Sequence, residues 1–384
     1  MKDRKNLILT CTHSLGAKFL EGQALFMKQN GYNVFIISAP GDEIEALCAR
    51  EGAVLIPVNF KREVSPWADV RCTLQLISIL RHLKSDIINA GTPKAGLLVC
   101  LAAKCIGHKH VIFTLRGLRS ETLLGLKKKV VRFMEKLTCS LATCVVPISP
   151  SLREHAVAEG LLQYGKSVVL GKGSSNGVSI DKFTRGNIGV GKLERDRLGI
   201  PNNSFVISYV GRFNNDKGIP ELFFCFKKIV QEYPDAKLLL VGRFEEEDAI
   251  SADLQNEMRA HPHVIIENYR QDVKAVYEAI DLLVLFSKRE GFGNILIEAS
   301  AMEVPVIANN IPGCKDAVNN GISGYLVSSE QELYTRMVTY VSNPSLAKEH
   351  GLKGRRWVVE NFSSHTIWEN QLKLYSKLLE DERL

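Results

Sequence analysis

The sequence has 384 residues, more than one ordinary hydrophobic core serves, so two domains are the expectation. Its composition, 45% hydrophobic and 24% charged, is that of a soluble globular protein, and no apolar run approaches the roughly 18 residues of a membrane-spanning helix. The net charge of +7 is uneven: residues 1–183 hold 25 basic and 14 acidic residues against 24 and 28 in residues 184–384, so the first half points to an acidic partner, whether nucleic acid, anionic lipid or a phosphorylated substrate.

The N-terminal stretch MKDRKNLILTCTH starts basic, but its apolar part is too short for a signal peptide and reads as a first strand. The nine cysteines are scattered, odd in number and without a CxxC pair. That pattern points to a reducing cytosol and away from a disulfide framework or a zinc site.

Along the chain, strand-like runs at 7–12, 34–38, 53–58, 86–89, 110–115, 144–148 and 167–170 alternate with helical patterns such as 19–29, 72–83 and 95–105. Such βα alternation predicts a mostly parallel sheet covered on both faces, with ligands beyond the carboxyl ends of its strands. A glycine-rich linker is expected at 186–191, followed by a charged helix at 192–198. A second series then runs through strands at 205–210, 237–241, 263–266, 281–286, 304–308 and 324–327, and the chain closes with helices at 330–341, 344–361 and 366–379. The economical architecture is α/β: two parallel-sheet domains in tandem with a cleft between them.

The stretch richest in chemistry is 287–303, SKREGFGNILIEASAME, directly after the apolar strand DLLVLF. Glu290 and Glu298 have seven residues between them, beginning with Gly291, Phe292, Gly293, Asn294 and Ile295. Strand, tight glycine loop and helix is the reading, with Asn294 as N-cap. A glycine loop that opens a helix aims several amides at one spot, which suits a phosphate or clustered hydroxyls; the alternative is a buried corner with two solvated glutamates. The loop 211–218, GRFNNDKG, carries Arg212 and Lys217 at another strand end, either a metal-free diphosphate clamp or surface charge. A further glycine and carboxylate sit in the loop 312–316.

In the first half, the loop after the first strand holds His13 and Gly16 but lacks GxGxxG, so no dinucleotide fingerprint is present. The run 91–96, GTPKAG, has phosphate-loop spacing without the required Lys-Ser/Thr, and a turn with Pro93 opening a helix is expected instead. Arg116 and Arg119 flank Gly117 at a strand end, where they can meet a phosphate. Ser120 is expected to cap a helix with Leu123, Leu126, Val130 and Phe133 on one side and Lys127, Lys128, Lys129, Arg132 and Lys136 on the other. Such a helix either lies on an anionic membrane or is the solvated face of a domain helix. The loop 173–177 is a plain connection or a lining of the cleft.

Taken together, GRFNNDKG, EGFGNILIEASAMEVPVIA, the NGV turn at 176–178 and GCKDAVNNGISGYLV resemble the retaining glycosyltransferases of family four. TLRGLRSE, SPSLRE and LGKGSSNGV resemble the bacterial capsule, O-antigen and exopolysaccharide type within it. The resemblance covers nearly the whole chain, and its specific part is the glutamate pair. It implies the GT-B fold, two Rossmann-like domains facing a cleft: an acceptor-side domain over 1–185, with the segment 366–384 packed back on it, and a nucleotide-sugar domain over 200–362. It implies Arg212 and Lys217 on the donor diphosphate, Glu290 at the reacting sugar, Glu298 on the ribose, and the 291–295 loop on sugar hydroxyls and phosphate. Gly16 would reach the donor from the first domain, with His13, Arg116 and Arg119 on the acceptor side. No metal and no cofactor are implied, the nucleotide-sugar being a substrate. The partners implied are a lipid-linked saccharide acceptor and an anionic membrane surface, not nucleic acid, on the cytoplasmic side of the cell membrane. One departure stands out: many relatives carry a histidine where this chain has Arg116, which leaves Arg116 to bind acceptor phosphate, with His13 as a positional substitute. A sugar-nucleotide epimerase of the same fold, a non-catalytic sugar-nucleotide-binding protein, and a hydrolase using the two glutamates are the competing readings.

Overall fold

The computed structural model describes residues 4–61, 65–186 and 189–380. Part of the expected 186–191 linker and the last four residues of the chain lie outside these. The chain forms two compact units. The first contains the residues up to Gly177 together with those from Ser364 onward, and the second runs from Val178 to Ser363.

The first unit is built on six parallel strands: β1 (Lys5–Thr10), β2 (Tyr32–Ser38), β3 (Val54–Pro57), β4 (Ile87–Gly91), β5 (Val111–Leu115) and β6 (Cys144–Pro147), in the order β3-β2-β1-β4-β5-β6. The central strands β4 and β5 are buried at every position, which is why they read as continuous apolar runs rather than alternating ones. A seventh strand at 167–170 does not form. Only a single bridge joins Ser167 to Val145, and the Ser167 side chain is engaged by Arg153. The expected helix at 19–29 is broken: a tight turn at Ser14–Phe19 precedes a short helix, Gln23–Gln29, separated by Gly22 at φ +78°. At Gly22 an added Cβ would stand 2.3 Å from the Trp368 ring, so the break is where the last helix packs.

That last helix, Ser364–Glu380, belongs to the first unit. Its Tyr375 is fully buried, accepts a hydrogen bond from Asn89 of β4 at 2.7 Å, and stacks edge-on to Tyr32 of β2. Trp368 donates to Asn176 at 2.6 Å.

The second unit repeats the plan with β7 (Val206–Phe213), β8 (Lys237–Phe244), β9 (Val264–Glu267), β10 (Leu282–Leu285), β11 (Val306–Asn309) and β12 (Gly324–Val327), all parallel, in the order β12-β11-β10-β7-β8-β9. Its helix Ile219–Glu232 buries Leu222, Phe223, Phe226 and Ile229, each worth about 1.5–3 kcal/mol relative to exposure. Ser329 and Asn343 cap the helices Glu330–Ser342 and Pro344–Phe362 by accepting from first-turn amides.

Candidate active site

In the second sheet the strand order reverses between β10 and β7. Chains leaving these two strands diverge to opposite sides, so a crevice opens at their carboxyl ends. The groups with the strongest chemistry sit there.

The loop leaving β7 is held rigidly. The buried Tyr209 hydroxyl donates to the Arg212 carbonyl at 3.0 Å, and the Asn214 side chain accepts from the Lys217 amide at 3.1 Å to fix the turn Asn215–Lys217. Gly218 then takes φ +71°, and a Cβ there would lie 2.1 Å from the Phe286 carbonyl. Only glycine lets this loop rest directly on the end of β10. Backbone bonds join the two strand ends: the Lys288 amide and the Ser287 hydroxyl both donate to the Asp216 carbonyl, at 2.8 and 3.1 Å.

This stitching brings Lys217 and Glu290 together. Lys217 Nζ lies 2.5 Å from Glu290 Oε1, with the two side chains only 12% and 20% exposed. An ion pair so withdrawn is screened far less than a surface one. Lys217 also reaches Ser287 Oγ and the Arg289 carbonyl, each at 3.4 Å. Arg212 differs: its side chain is exposed and, among the described residues, unpaired, next in register to Arg243, which is taken by Glu245 at 3.0 Å.

Glu298 projects from the helix Asn294–Ala301 and accepts from the Tyr277 hydroxyl at 2.9 Å. Burial and the adjacent carboxylate push the Tyr277 phenol well up, so it stays protonated and donates. The residue opening this helix is Gly293, not Asn294. Asn294 is already helical, and its Oδ1 is buried without a partner among the described residues. Phe292 is buried against Phe362 at 5.4 Å, while Gly291 and Ile295 are half-buried. Gly313, at φ +84°, sits where a Cβ would be 2.6 Å from the Glu290 carbonyl and 2.7 Å from that of Gly291, so the 312–316 loop closes onto the same turn. Cys314 there is fully buried, its thiol pushed well up by burial and by Glu290.

The remaining predicted residues lie at strand ends of the first unit. Gly16 is buried, with room for no Cβ beside Cys11 at 2.8 Å, and His13 and Arg119 are exposed. Arg116 is half-buried: its Nε donates to Ser175 Oγ at 2.7 Å and its guanidinium stacks 5.1 Å from the Phe19 ring centroid. Burial pulls its pKa down to about 10, so it remains charged at neutral pH. Pro93 opens the helix Pro93–Cys105, as its turn chemistry suggests. Ser120 does not cap the basic helix. It bonds Glu135 at 2.6 Å, and the helix begins at Gly125.

Residues 17–173 match the model of the glycosyl transferase 4-like domain, and residues 191–357 that of the glycosyl transferases group 1. Over 383 residues the chain is 36% identical to the capsular polysaccharide biosynthesis glycosyltransferase CapM of Staphylococcus aureus, covering 99% of each. The chain belongs to this glycosyltransferase family. Another relative, at 27% identity over 269 residues (69% of this chain, 68% of the other), is the Escherichia coli UDP-Gal:alpha-D-GlcNAc-diphosphoundecaprenol alpha-1,3-galactosyltransferase. The fold is GT-B. HepE of Anabaena, solved with UDP and glucose, superposes with a TM-score of 0.81 at 18% identity, covering 97% of this chain and 100% of that one.

In this glycosyltransferase the structure also places residues that sequence reasoning passed over. Tyr277 is one: it lies in a helix that reads as ordinary core, and only the fold sets its hydroxyl on Glu298. Thr92 is another, at φ +65°, which a β-branched residue rarely adopts. Its hydroxyl is 2.7 Å from that of Thr12.

Proposed function

We propose that this glycosyltransferase transfers a sugar from a nucleotide-sugar to a lipid-linked saccharide, with retention of anomeric configuration and without a metal ion, in the assembly of a bacterial surface polysaccharide. The observation that carries this reading is the Lys217–Glu290 pair at the switch point of the second sheet, with Arg212 at the end of β7 and Glu298 on the helix Asn294–Ala301. Breaking a glycosyl–diphosphate bond builds positive charge on the sugar and negative charge on the leaving diphosphate. Arg212 offers a bidentate contact and Lys217 a point charge to the diphosphate, in place before the bond breaks. Glu290, held by Lys217, is set to face the sugar, and Glu298, oriented by Tyr277, to accept from ribose hydroxyls. The likeness to CapM supports a capsule-type product, and the E. coli relative supports a diphosphate-linked lipid acceptor. The test is a panel of nucleotide-sugars scored by thermal stabilisation and by donor hydrolysis. One donor at 100 times its Kd is expected to stabilise the fold by about 2.7 kcal/mol. A panel without any stabilising member would remove the donor site.

We also assign the enzyme to the inner face of the cell membrane as a peripheral protein. Among the described residues, no helix is long and apolar enough to cross a membrane. The helix Gly125–Leu141 buries only its C-terminal part. Leu124 (86%), Leu126 (76%) and Phe133 (65%) stand exposed beside Lys127, Lys128 and Lys129. Apolar side chains in water next to a lysine run suit insertion at an anionic lipid surface. Binding to anionic vesicles is expected to fall as salt rises, and to vanish when the three lysines become glutamate. Sedimentation of that triple variant with vesicles as efficiently as wild type would return the helix to a solvated role.

A further inference from the structure

The first sheet has its own switch point, between β1 and β4, and the Arg116 guanidinium is held over it. Three separate loops fix that guanidinium. Phe19, after β1, has the guanidinium carbon over its ring, 5.1 Å from the centroid, and Ser175 takes Nε at 2.7 Å. Gly91, at the end of β4, leaves the space: a Cβ there would stand 2.3 Å from Nη1. Among the described residues, Nη1 and Nη2 have no hydrogen-bond or ion-pair partner. Other partly withdrawn arginines in this chain use theirs. Arg195 binds Asp281 and three carbonyls, and Arg355 binds two carbonyls and the Thr184 hydroxyl. No carboxylate is among the groups that act electrostatically on Arg116. Those are Cys11 and Tyr375, whose own pKa values burial raises, so both are neutral at pH 7.

A charge partly withdrawn from water with no counter-ion among the described residues is costly, and the fold maintains it here at the place where an α/β sheet receives ligands. Thr92 adds to this. It keeps a left-handed φ of +65°, and its hydroxyl is turned to Thr12 rather than capping the helix Pro93–Cys105 that follows. Backbone strain of this kind gathers where a ligand is received. Two free, coplanar N–H groups match the paired oxygens of a phosphoryl or carboxylate group.

We propose that Arg116, with Gly91, Phe19 and Ser175 fixing its plane, is the receptor for a substrate oxyanion additional to the donor diphosphate: a phosphoryl group of the acceptor or a carboxylate on a sugar. The proposal rests on the donor reading above only in placing the donor diphosphate on Arg212 and Lys217 of the other unit.

The test is calorimetric titration of the full chain with UDP already saturating. Inorganic pyrophosphate and glucuronate are added in separate arms. Wild type is expected to bind one of them on top of UDP. Pyrophosphate binding identifies a phosphoryl source, and glucuronate binding a carboxylate source. Arg116→Met is expected to weaken that anion by about tenfold or more, as loss of a bidentate charged contact does, while its UDP affinity stays at the wild-type value. Ser175→Ala, a smaller change that frees the guanidinium, is expected to weaken it by less. The proposal is overturned if neither anion binds the wild type beside UDP, if pyrophosphate binds only when UDP is absent, or if Arg116→Met binds the anion as wild type does. Failure of UDP itself to bind would count against the donor reading instead, and the anion arms, run without UDP, would still decide Arg116 by the same variants.

Discussion

Replacing Lys217 or Arg212 by alanine is expected to lower turnover by ~10²-fold or more, with the fold intact. The two cations differ in their resting state, and the variants are expected to differ accordingly. Arg212 is exposed and unpaired among the described residues, so its removal is expected to take away only the proposed diphosphate contact and to disturb little else. Lys217 is bound to Glu290 at 2.5 Å, so its removal also strips Glu290 of the partner that holds it. Lys217→Ala and Glu290→Gln are therefore expected to be coupled: the double variant should lose less than the product of the two single losses, because each single change already breaks the same pair. Arg212→Ala and Glu290→Gln share no contact in the structure and should combine nearly multiplicatively. Steady-state kinetics on the three single and two double variants, with melting curves as a check on folding, measure this. Wild-type turnover in Lys217→Ala or Arg212→Ala would take the clamp out of the mechanism.

The strands were readable because parallel strands covered on both faces are written as continuous apolar runs; DLLVLF before the glutamate loop is the plainest case, with β10 buried at every position. The same rule misled at 167–170. The run SVVL is apolar enough for a strand, but Ser167 is taken by Arg153 and by its own turn, and the sheet ends at β6. Local chemistry also placed Asn294 one position too far out. A glycine ahead of it took the cap, which no side-chain preference announces. Ser120 failed for a different reason: a carboxylate fifteen residues on, Glu135, claims both its hydroxyl and its amide.

The site itself was only half legible. Residue types at strand ends pointed to Arg212, Lys217, Glu290 and Glu298 one by one. Their partners did not show. Lys217 meets Glu290 across 73 residues and Tyr277 meets Glu298 across 21, both pairings made by strand order rather than by spacing along the chain. Arg116 was legible as a cation at a strand end. Its lack of a counter-ion among the described residues, the feature that makes it informative, belongs to the three-dimensional surroundings alone.

In the proposed mechanism Arg212 and Lys217 do the work at the diphosphate that a divalent ion does elsewhere, and the sugar leaves and is received on the same face. Electrostatic stabilisation is largest when the charges are fixed before the bond breaks; here Lys217 stands on a turn held by Asn214 and Gly218, and Arg212 at the end of β7, where Tyr209 holds its carbonyl. Activity should then be indifferent to chelation. NMR of the product linkage made from an α-linked nucleotide-sugar, with and without EDTA, tests this most directly. An α-linked product formed at the same rate in EDTA is the predicted result; a β-linked product, or activity restored only by an added divalent ion, would contradict it.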